Sequence, residues 1–424
     1  MKKKNNIYNR KAIRSWTLYD WANSVYALVI STAIFPIYFN SNSPDVIEVF
    51  GKQLKDETVL TATISISFIV ISLLSPILSA IADLGGSKKS FMRFFSTLGS
   101  LACMGLFFFT KETFWFGLVL SFIASIGFSG SIVFYNAYLP EIAPPRLHDY
   151  ISAKGFSMGY LGGAILLIII LALGMSHEQL GITEGLAYRV GFLLVGIWWL
   201  VFSLISFNGL PSSSSQHKIE KDVIKSSYKE LGIVWKDLRK DKRLVNFLQA
   251  FLMYNTGVQT IILTAALFGS DVLGLATESL IITILLIQFI AMPGAHLFAK
   301  IATKKGNAIS LMYASIIWAS ICIGAYFIQT DIQFYAFGGL VGLVLGGIQS
   351  VSRSTYSKLL PETEDPATYF SFYDIIEKWS IVIGTGLFAI ISEAWGLRNT
   401  SLMLASFFIM GTILLLKLIK KTKK

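Results

Sequence analysis

Twelve long apolar stretches, separated by short polar segments, dominate the pattern of hydrophobic and polar positions along the chain. A membrane-spanning helix needs about 20 mostly apolar residues. The stretches that meet this length predict twelve transmembrane helices, at residues 17–39, 59–82, 91–110, 113–139, 155–175, 187–208, 244–268, 278–299, 307–328, 333–352, 372–392 and 399–418. The sequence therefore predicts an all-α integral membrane protein.

Composition supports this fold class. Hydrophobic residues make up 54% of the 424 residues and charged residues 14%, and the mean hydropathy is +0.62. Soluble proteins carry about 25% charged residues, so this chain has too few to cover a soluble surface. A disordered chain, a soluble enzyme and a secreted disulfide scaffold are excluded. Cys103 and Cys322 fall inside apolar stretches and the four His residues lack ligand spacing, so we expect no metal and no cofactor.

The net charge of +11 is distributed unevenly between alternate loops. With twelve spans, 30 of the 36 Lys and Arg residues lie on one side of the membrane, five on the other, and Lys378 lies within a span. Because cytoplasmic loops are enriched in Lys and Arg, we expect both termini in the cytoplasm and the protein in the cell membrane. Such a distribution is typical of membrane insertion and not of nucleic-acid binding.

The longest polar segment, residues 209–243, divides the chain into two sets of six spans. We expect an N-terminal bundle at 1–208, a cytoplasmic linker at 209–243 and a C-terminal bundle at 244–424. Apolar residues recur in the linker at three- and four-residue steps between lysines, which predicts an amphipathic helix on an anionic bilayer surface. A solvated linker is the alternative. The apolar positions are Ile219, Val223, Tyr228, Leu231, Val234, Trp235 and Leu238.

The two halves also echo each other in sequence. The turn after span two runs from Ala82 through Asp83 and Gly86 to Lys89, and the turn after span eight runs from Ala302 to Gly306 with similar spacing. Duplicated halves with a site between them are typical of secondary transporters.

Several strings resemble a known family. They are the D-x-x-G-x-K-K turn at 83–89, WTLYDWAN at 16–23, FYNAYLPEIAPP at 134–145, GVQT at 257–260, GGIQSVSR at 346–353 and FYD at 372–374. The chain resembles the major facilitator superfamily and, within it, the "unknown major facilitator" family related to the autophagy-linked vacuolar amino-acid effluxer. This resemblance implies two six-helix bundles, a cavity lined by spans one, four, seven and ten, and a monomer.

Two residues depart from the pattern of the resembled families. Thr303 stands where the superfamily turn usually has Asp, so we expect a weaker gate in the second half. Thr256 stands where many relatives carry an acid, so a coupling role is not expected there.

Polar side chains within spans usually face a cavity or a partner, since they are costly in lipid. Amide and phenol groups near the middle of the predicted spans suit a zwitterionic or polyol ligand, because they both donate and accept hydrogen bonds. Interhelical hydrogen bonding is the alternative. The predicted substrate-binding residues are Asn23, Tyr26, Tyr254, Asn255, Gln259 and Gln349.

Three acids within spans are predicted proton carriers. They are Asp20, Asp374 and Glu377. Asp374 and Lys378 are four residues apart and can neutralise each other, which leaves Glu377 as the extra carboxyl group. The alternatives are an N-terminal helix charge for Asp20 and a structural ion pair at the membrane rim for Asp374 and Lys378.

A third set lies near the ends of the predicted spans and suits gating. The predicted gating residues are Asp83, Gly86, Tyr135, Asn136, Arg353 and Lys378. The alternatives are an ordinary positively charged loop and static packing.

These patterns predict a secondary active transporter, not an enzyme. It would move a small polar solute, with an amino acid or peptide as one candidate, by alternating access and with proton coupling. A membrane-embedded enzyme acting on a lipid-linked substrate, or a non-transporting scaffold or receptor, is the alternative. No nucleotide-binding motif is present.

Overall fold

The computed structural model describes residues 8–44, 47–49, 51–85, 87–212, 223–363 and 366–422. Predicted positions such as Gly86 and Ile219 lie outside these ranges. Within them, twelve helical segments are long and apolar enough to cross a membrane, from Arg10–Asn42 to Leu397–Lys420. This confirms the predicted all-α membrane fold.

The first six spans fill the chain up to Phe207. Span one consists of α1 (Arg10–Val25), a π-helix (Tyr26–Ala33) and α2 (Ile34–Asn42), and a small hairpin of β1 (Ile47–Val49) and β2 (Lys52–Leu54) follows. Spans two to four are α3 (Asp56–Leu84), α4 (Lys88–Gly105) and α5 (Phe114–Ala137), which is followed by the short helix α6 (Leu139–Ile142). Spans five and six are α7 (His148–Met175) and α8 (Glu184–Phe207).

The linker and the last six spans form the rest of the chain. The linker helix is α9 (Val223–Lys240), where the sequence predicts an amphipathic helix. Spans seven to twelve are α10 (Lys242–Leu273), α11 (Thr277–Lys305), α12 (Asn307–Ala325), α13 (Asp331–Leu359), α14 (Pro366–Trp395) and α15 (Leu397–Thr422). Side-chain caps fix some of these boundaries: Asp241 accepts from the backbone of α10, and Thr330 forms a capping box with Gln333.

Two local features were not predicted from the hydrophobic pattern. The hairpin pairs Ile47 with Leu54 in an antiparallel register, and Gly51 supplies the positive φ of +76° that its turn needs. The π-helix widens the middle of span one, and the Thr32 hydroxyl donates to the Ala27 carbonyl at 2.9 Å. π-Helical segments are rare and often mark functional sites.

Glycines bring several helices into direct backbone contact, as small residues do in membrane proteins. A Cβ atom at Gly346 of α13 would overlap the Ala291 carbonyl oxygen of α11. A Cβ atom at Gly162 of α7 would lie 2.8 Å from the Trp21 carbonyl oxygen of α1. Neither position admits a larger residue without displacement of the neighbouring helix.

The chain forms two compact units. The first comprises Met1–Arg10, Asn136–Ser157 and Ile219–Lys424, and we call it the C-terminal unit. The second comprises Lys11–Tyr135 and Met158–Lys218, and we call it the N-terminal unit. Residues 136–157, which connect spans four and five, therefore pack with the second half of the sequence.

Candidate functional site

In the N-terminal unit, the predicted proton carrier Asp20 meets the predicted gating residue Tyr135. The Tyr135 hydroxyl donates to Asp20 Oδ2 at 2.5 Å. Trp16 stacks on the Tyr135 ring at 4.5 Å and donates from Nε1 to the Tyr135 carbonyl oxygen at 2.8 Å. Asp20 is buried and lies ten residues into α1, about 15 Å along the helix axis. This position does not fit the alternative of a charge at the helix start.

Asn23 and Tyr26 lie deeper in the same helix. Asn23 is 2% exposed, and its Nδ2 has no hydrogen-bond partner among the described residues. Tyr26 opens the π-helix, and its ring lies 4.8 Å from Phe128 and 5.7 Å from Trp199. Asn23 therefore offers a buried polar group that a ligand or water can satisfy, whereas Tyr26 lies among aromatic rings.

In the C-terminal unit, α10 and α14 bring predicted binding and coupling residues together. Gln259 Nε2 donates to Glu377 Oε1 at 3.4 Å. Lys378 Nζ lies 3.0 Å from Asp374 Oδ1, and both side chains are buried, at 6% and 1% exposure. The structure thus contains the ion pair that the four-residue spacing predicts, and it leaves Glu377 to the amide of Gln259. We call Gln259, Asp374, Glu377 and Lys378 the α14 polar cluster.

The remaining predicted binding residues lie on α10 and α13. The hydroxyl groups of Tyr254 and Ser352 lie 2.7 Å apart. Asn255 is buried, and its Nδ2 has no partner in the part of the chain that the structure describes. Gln349 is half-buried on α13. Thr256 donates to the Leu252 carbonyl at 2.7 Å, so its hydroxyl is satisfied within its own helix.

The predicted binding and coupling residues of the two units include amides, carboxylates and an ammonium group that are largely withdrawn from solvent. Such groups can bind a polar solute and transfer protons. Among the described residues, no group of three or more His, Cys, Asp or Glu side chains is arranged to hold a metal ion.

The predicted gating residue Asp83 lies at the end of α3. Its Oδ1 lies 3.7 Å from Lys88 Nζ at the start of α4, and both side chains are almost fully buried. The Gly85 amide donates to the Ile81 carbonyl at 2.9 Å and closes the helix. A buried ion pair across this turn holds the two helix ends in a fixed relation, whereas an ordinary solvated loop would leave these charges exposed.

An acid that the sequence analysis missed occupies the start of α7. Asp149 is 1% exposed and accepts hydrogen bonds or ion-pair contacts from four residues of the C-terminal unit. The distances are 2.7 Å from Asn307 Nδ2, 2.7 Å from Ser354 Oγ, 3.5 Å from Thr303 Oγ1 and 2.5 Å from Lys358 Nζ. We call these five residues the Asp149 cluster.

Arg353, the predicted cationic member of the second-half gate, lies beside this cluster on α13. Its Nε and Nη2 donate to the side-chain and backbone oxygens of Ser152, at 2.9 and 3.0 Å. Its guanidinium carbon lies 4.1 Å from the centre of the Phe156 ring. The α7 segment from Asp149 to Phe156 is therefore held to α13 at both ends.

The predicted gating residue Asn136 is buried at the end of α5, and its Oδ1 has no partner among the residues with described positions.

Comparison with known proteins gives a consistent result. A family model described as "Vacuole effluxer Atg22 like" matches residues 8–424. The "Uncharacterized MFS-type transporter YxiO" of Bacillus subtilis (strain 168) is 33% identical over 414 residues, which cover 96% of this chain and 94% of that protein. "Autophagy-related protein 22" of Coccidioides immitis (strain RS) is 23% identical, and the alignment covers 92% of this chain and 83% of that protein.

Solved structures show the same fold. The major facilitator superfamily transporter FucP in its outward conformation has a TM-score of 0.71 at 13% identity, over 96% of this chain and 98% of that one. The proton:xylose symporter XylE has a TM-score of 0.65 at 11% identity, over 96% and 94% of the two chains. Because the family match spans nearly the whole chain, this multi-pass membrane protein belongs to the Atg22-like family of major facilitator superfamily transporters.

Proposed function

We propose that the protein is a proton-coupled secondary active transporter, which moves a small polar solute across the cell membrane by alternating access. The observation that carries this proposal is the α14 polar cluster, where Glu377 lies beside a neutralised ion pair and accepts from Gln259. A carboxyl group in such a desolvated position can bind a proton from one side and release it to the other as access alternates.

An amino acid or peptide is the solute that fits these groups best. The amides of Asn255 and Gln259 can donate to a carboxylate and accept from an ammonium group. The description of the family names an effluxer, which supports transport of a solute. A thermal-shift screen of the purified protein against amino acids, peptides, sugars and nucleosides tests this assignment, since a bound ligand stabilises the folded state by mass action.

Asp20 is the proposed coupling residue of the N-terminal unit. Its hydrogen bond from Tyr135 ties its protonation to the position of α5, because a protonated carboxyl group no longer accepts this bond with full strength. Movement of α1 relative to α5 would then accompany each proton transfer.

The test of coupling is solute accumulation in proteoliposomes with and without an imposed pH gradient. Glu377→Gln and Asp20→Asn should abolish accumulation against a gradient while counterflow exchange continues. Glu393→Gln is the matched control, because Glu393 lies on the same helix as Glu377 but is exposed. Equal gradient dependence in the wild type, both variants and the control would refute the assignment of coupling to Glu377 and Asp20. Accumulation by the wild type that does not depend on the pH gradient would contradict proton coupling and favour sodium coupling or facilitated diffusion.

The proposed orientation places both termini and the Asp149 cluster on the cytoplasmic side, with the protein as a monomer. The excess of Lys and Arg in alternate loops supports this orientation. Reporter fusions at the C-terminus and in the loop near Lys55 distinguish the two sides. A cytoplasmic signal from the loop fusion and a periplasmic signal from the C-terminal fusion would contradict the orientation.

A further inference from the structure

The linker helix α9 presents four different surfaces, each of which repeats after seven residues. Residues seven apart on a helix differ by only about 20°, so each pair lies on one stripe. The stripes are aromatic (Tyr228 and Trp235), basic (Lys229 and Lys236), acidic (Glu230 and Asp237) and apolar (Leu231 and Leu238).

The apolar stripe faces the protein. Leu238 and the adjacent Val234 are each 2% exposed. On one flank of this packed surface, the acidic stripe borders a cavity that Glu362 and Thr363 also line. The aromatic stripe lies on the other flank, about 200° of rotation from the acids. Acids and aromatic residues therefore point to opposite sides of the helix.

The aromatic stripe is continuous with an exposed apolar surface of α14. Trp235 is 50% exposed, and its ring stacks on Phe372 near the start of α14 at 5.6 Å. Exposed apolar residues then continue along α14 at helical spacing, through Trp379, Ile383 and Ile390. The helix α14 is long and apolar enough to span a membrane, and an exposed apolar stripe on such a helix suits contact with lipid. Trp235 thus lies where that stripe reaches the membrane surface.

The basic stripe lies beside the aromatic one. Lys229 and Lys236 are exposed, and the Arg239 guanidinium lies 5.9 Å from the centre of the Trp235 ring. Aromatic rings at headgroup level, flanked by Lys and Arg, characterise helices that lie in a membrane interface. Tyr228 is 58% exposed and completes the same face.

We propose that the aromatic and basic stripes of α9 lie in the headgroup layer and bind anionic phospholipids. Anionic phospholipids fit this face because it carries aromatic and basic residues, whereas the acidic stripe lies on the opposite side of the helix. Lipid binding would hold α9 against the start of α14, the helix that carries Asp374 and Glu377. The content of anionic lipid in the bilayer would then influence the position of Asp374 and Glu377.

The test measures the depth of labelled positions in the full-length protein, after Cys103 and Cys322 are replaced by Ala. A fluorophore is attached at Gly232→Cys, where an added Cβ meets no atom within 4 Å, next to the aromatic stripe. The matched control is Asp237→Cys on the acidic stripe. Each protein is reconstituted in phosphatidylcholine liposomes with or without phosphatidylglycerol, and the lipids carry a nitroxide quencher near the headgroup.

We expect quenching at position 232 to exceed that at position 237 several-fold in liposomes that contain phosphatidylglycerol. It should fall when phosphatidylglycerol is omitted or when Lys229, Lys236 and Arg239 are changed together to Gln. A control with Lys300, Lys304 and Lys305 changed to Gln carries the same loss of charge and should keep the quenching. Equal quenching at positions 232 and 237 would overturn the proposal, as would quenching at position 232 that is independent of phosphatidylglycerol and of the three α9 charges. Absence of quenching at both would also overturn it and point to a protein partner for α9.

Discussion

The Asp149 cluster allows a sharp prediction about how residues 136–157 are held in the C-terminal unit. Asp149→Asn keeps the size of the side chain and removes its charge. Four donors now converge on the two carboxylate oxygens, from Thr303, Asn307, Ser354 and Lys358. The Asn amide group can accept through one oxygen only, and its nitrogen would face donors. The Lys358 ammonium would lose its buried counter-charge.

The magnitude follows from the burial of the two partners. Removal of one partner from a buried ion pair costs about 3–5 kcal/mol. The Asp149 side chain is 1% exposed, but the Lys358 side chain is 24% exposed and can still reach water. The lower end of the range, about 3 kcal/mol, is therefore the expected cost. A cost of about 1.4 kcal/mol corresponds to a tenfold change in an equilibrium constant. The equilibrium constant for the contact between α7 and the other members of the Asp149 cluster should therefore fall by about 10²-fold.

A cysteine at Ser350 reports this contact, because Ser350 is fully buried and its carbonyl oxygen accepts from Ser152 at 2.8 Å. We expect Asp149→Asn to raise the rate at which a thiol reagent labels Ser350→Cys, in a protein without Cys103 and Cys322. The exposed Asp271→Asn serves as the charge-matched control. Replacement of both Asp149 and Lys358 by uncharged residues should cost less than Asp149→Asn alone. An unchanged labelling rate in Asp149→Asn would refute the reasoning.

Two further predictions concern the helix ends and the helix contacts. Asp83→Asn should slow transport in proteoliposomes without abolishing ligand binding in the thermal-shift assay, because the ion pair with Lys88 holds the ends of α3 and α4 and touches no proposed ligand group; wild-type transport would contradict a gating role. Gly346→Ala should lower thermal stability by about 1–3 kcal/mol because its Cβ would overlap α11, whereas Gly386→Ala, with no atom within 4 Å, should not, and equal stability of both variants would contradict the close contact.

The long-range architecture was predictable because membrane insertion imposes simple rules. Each span needs a long apolar stretch, and each of the twelve predicted stretches coincides with a helix that meets this requirement. Eight stretches fall within their helices, and four extend one to three residues beyond them. The ion pair of Asp374 and Lys378 was also predictable, because residues four apart on a helix are neighbours whatever the rest of the fold does. The glycine spacing on α13 permits the close approach of another helix, but only the structure identifies α11 as its partner.

The Asp149 cluster could not be predicted in the same way. Its members are separated by 154 to 209 residues from Asp149, so no periodic pattern connects them. An acid in the first turn of a helix is common, since it interacts favourably with the helix dipole, and this gave Asp149 no distinctive signal. The available signal was indirect: the turn after span eight lacks the acid of its first-half counterpart, with Thr303 in its place.

The position of Asp149 also changes what Thr303 implies. The expectation of a weaker second-half gate counted acids in the turn alone, but the Thr303 hydroxyl donates to a carboxylate that α7 supplies. Thr303→Asp, which restores the superfamily pattern in the turn, should therefore weaken the contact. The Thr303 hydroxyl lies 3.5 Å from Asp149 Oδ2, so the new carboxylate would stand at about that distance from the Asp149 carboxylate. The Lys358 ammonium would then have to neutralise two acids. Two like charges about 4 Å apart repel by roughly 1 kcal/mol at the dielectric constant of water and by roughly 4 kcal/mol at that of a protein surface.

Labelling of Ser350→Cys should accelerate in Thr303→Asp and remain unchanged in Thr303→Ser, which retains the hydroxyl. Slower labelling in Thr303→Asp would show instead that the acid in the turn strengthens this contact.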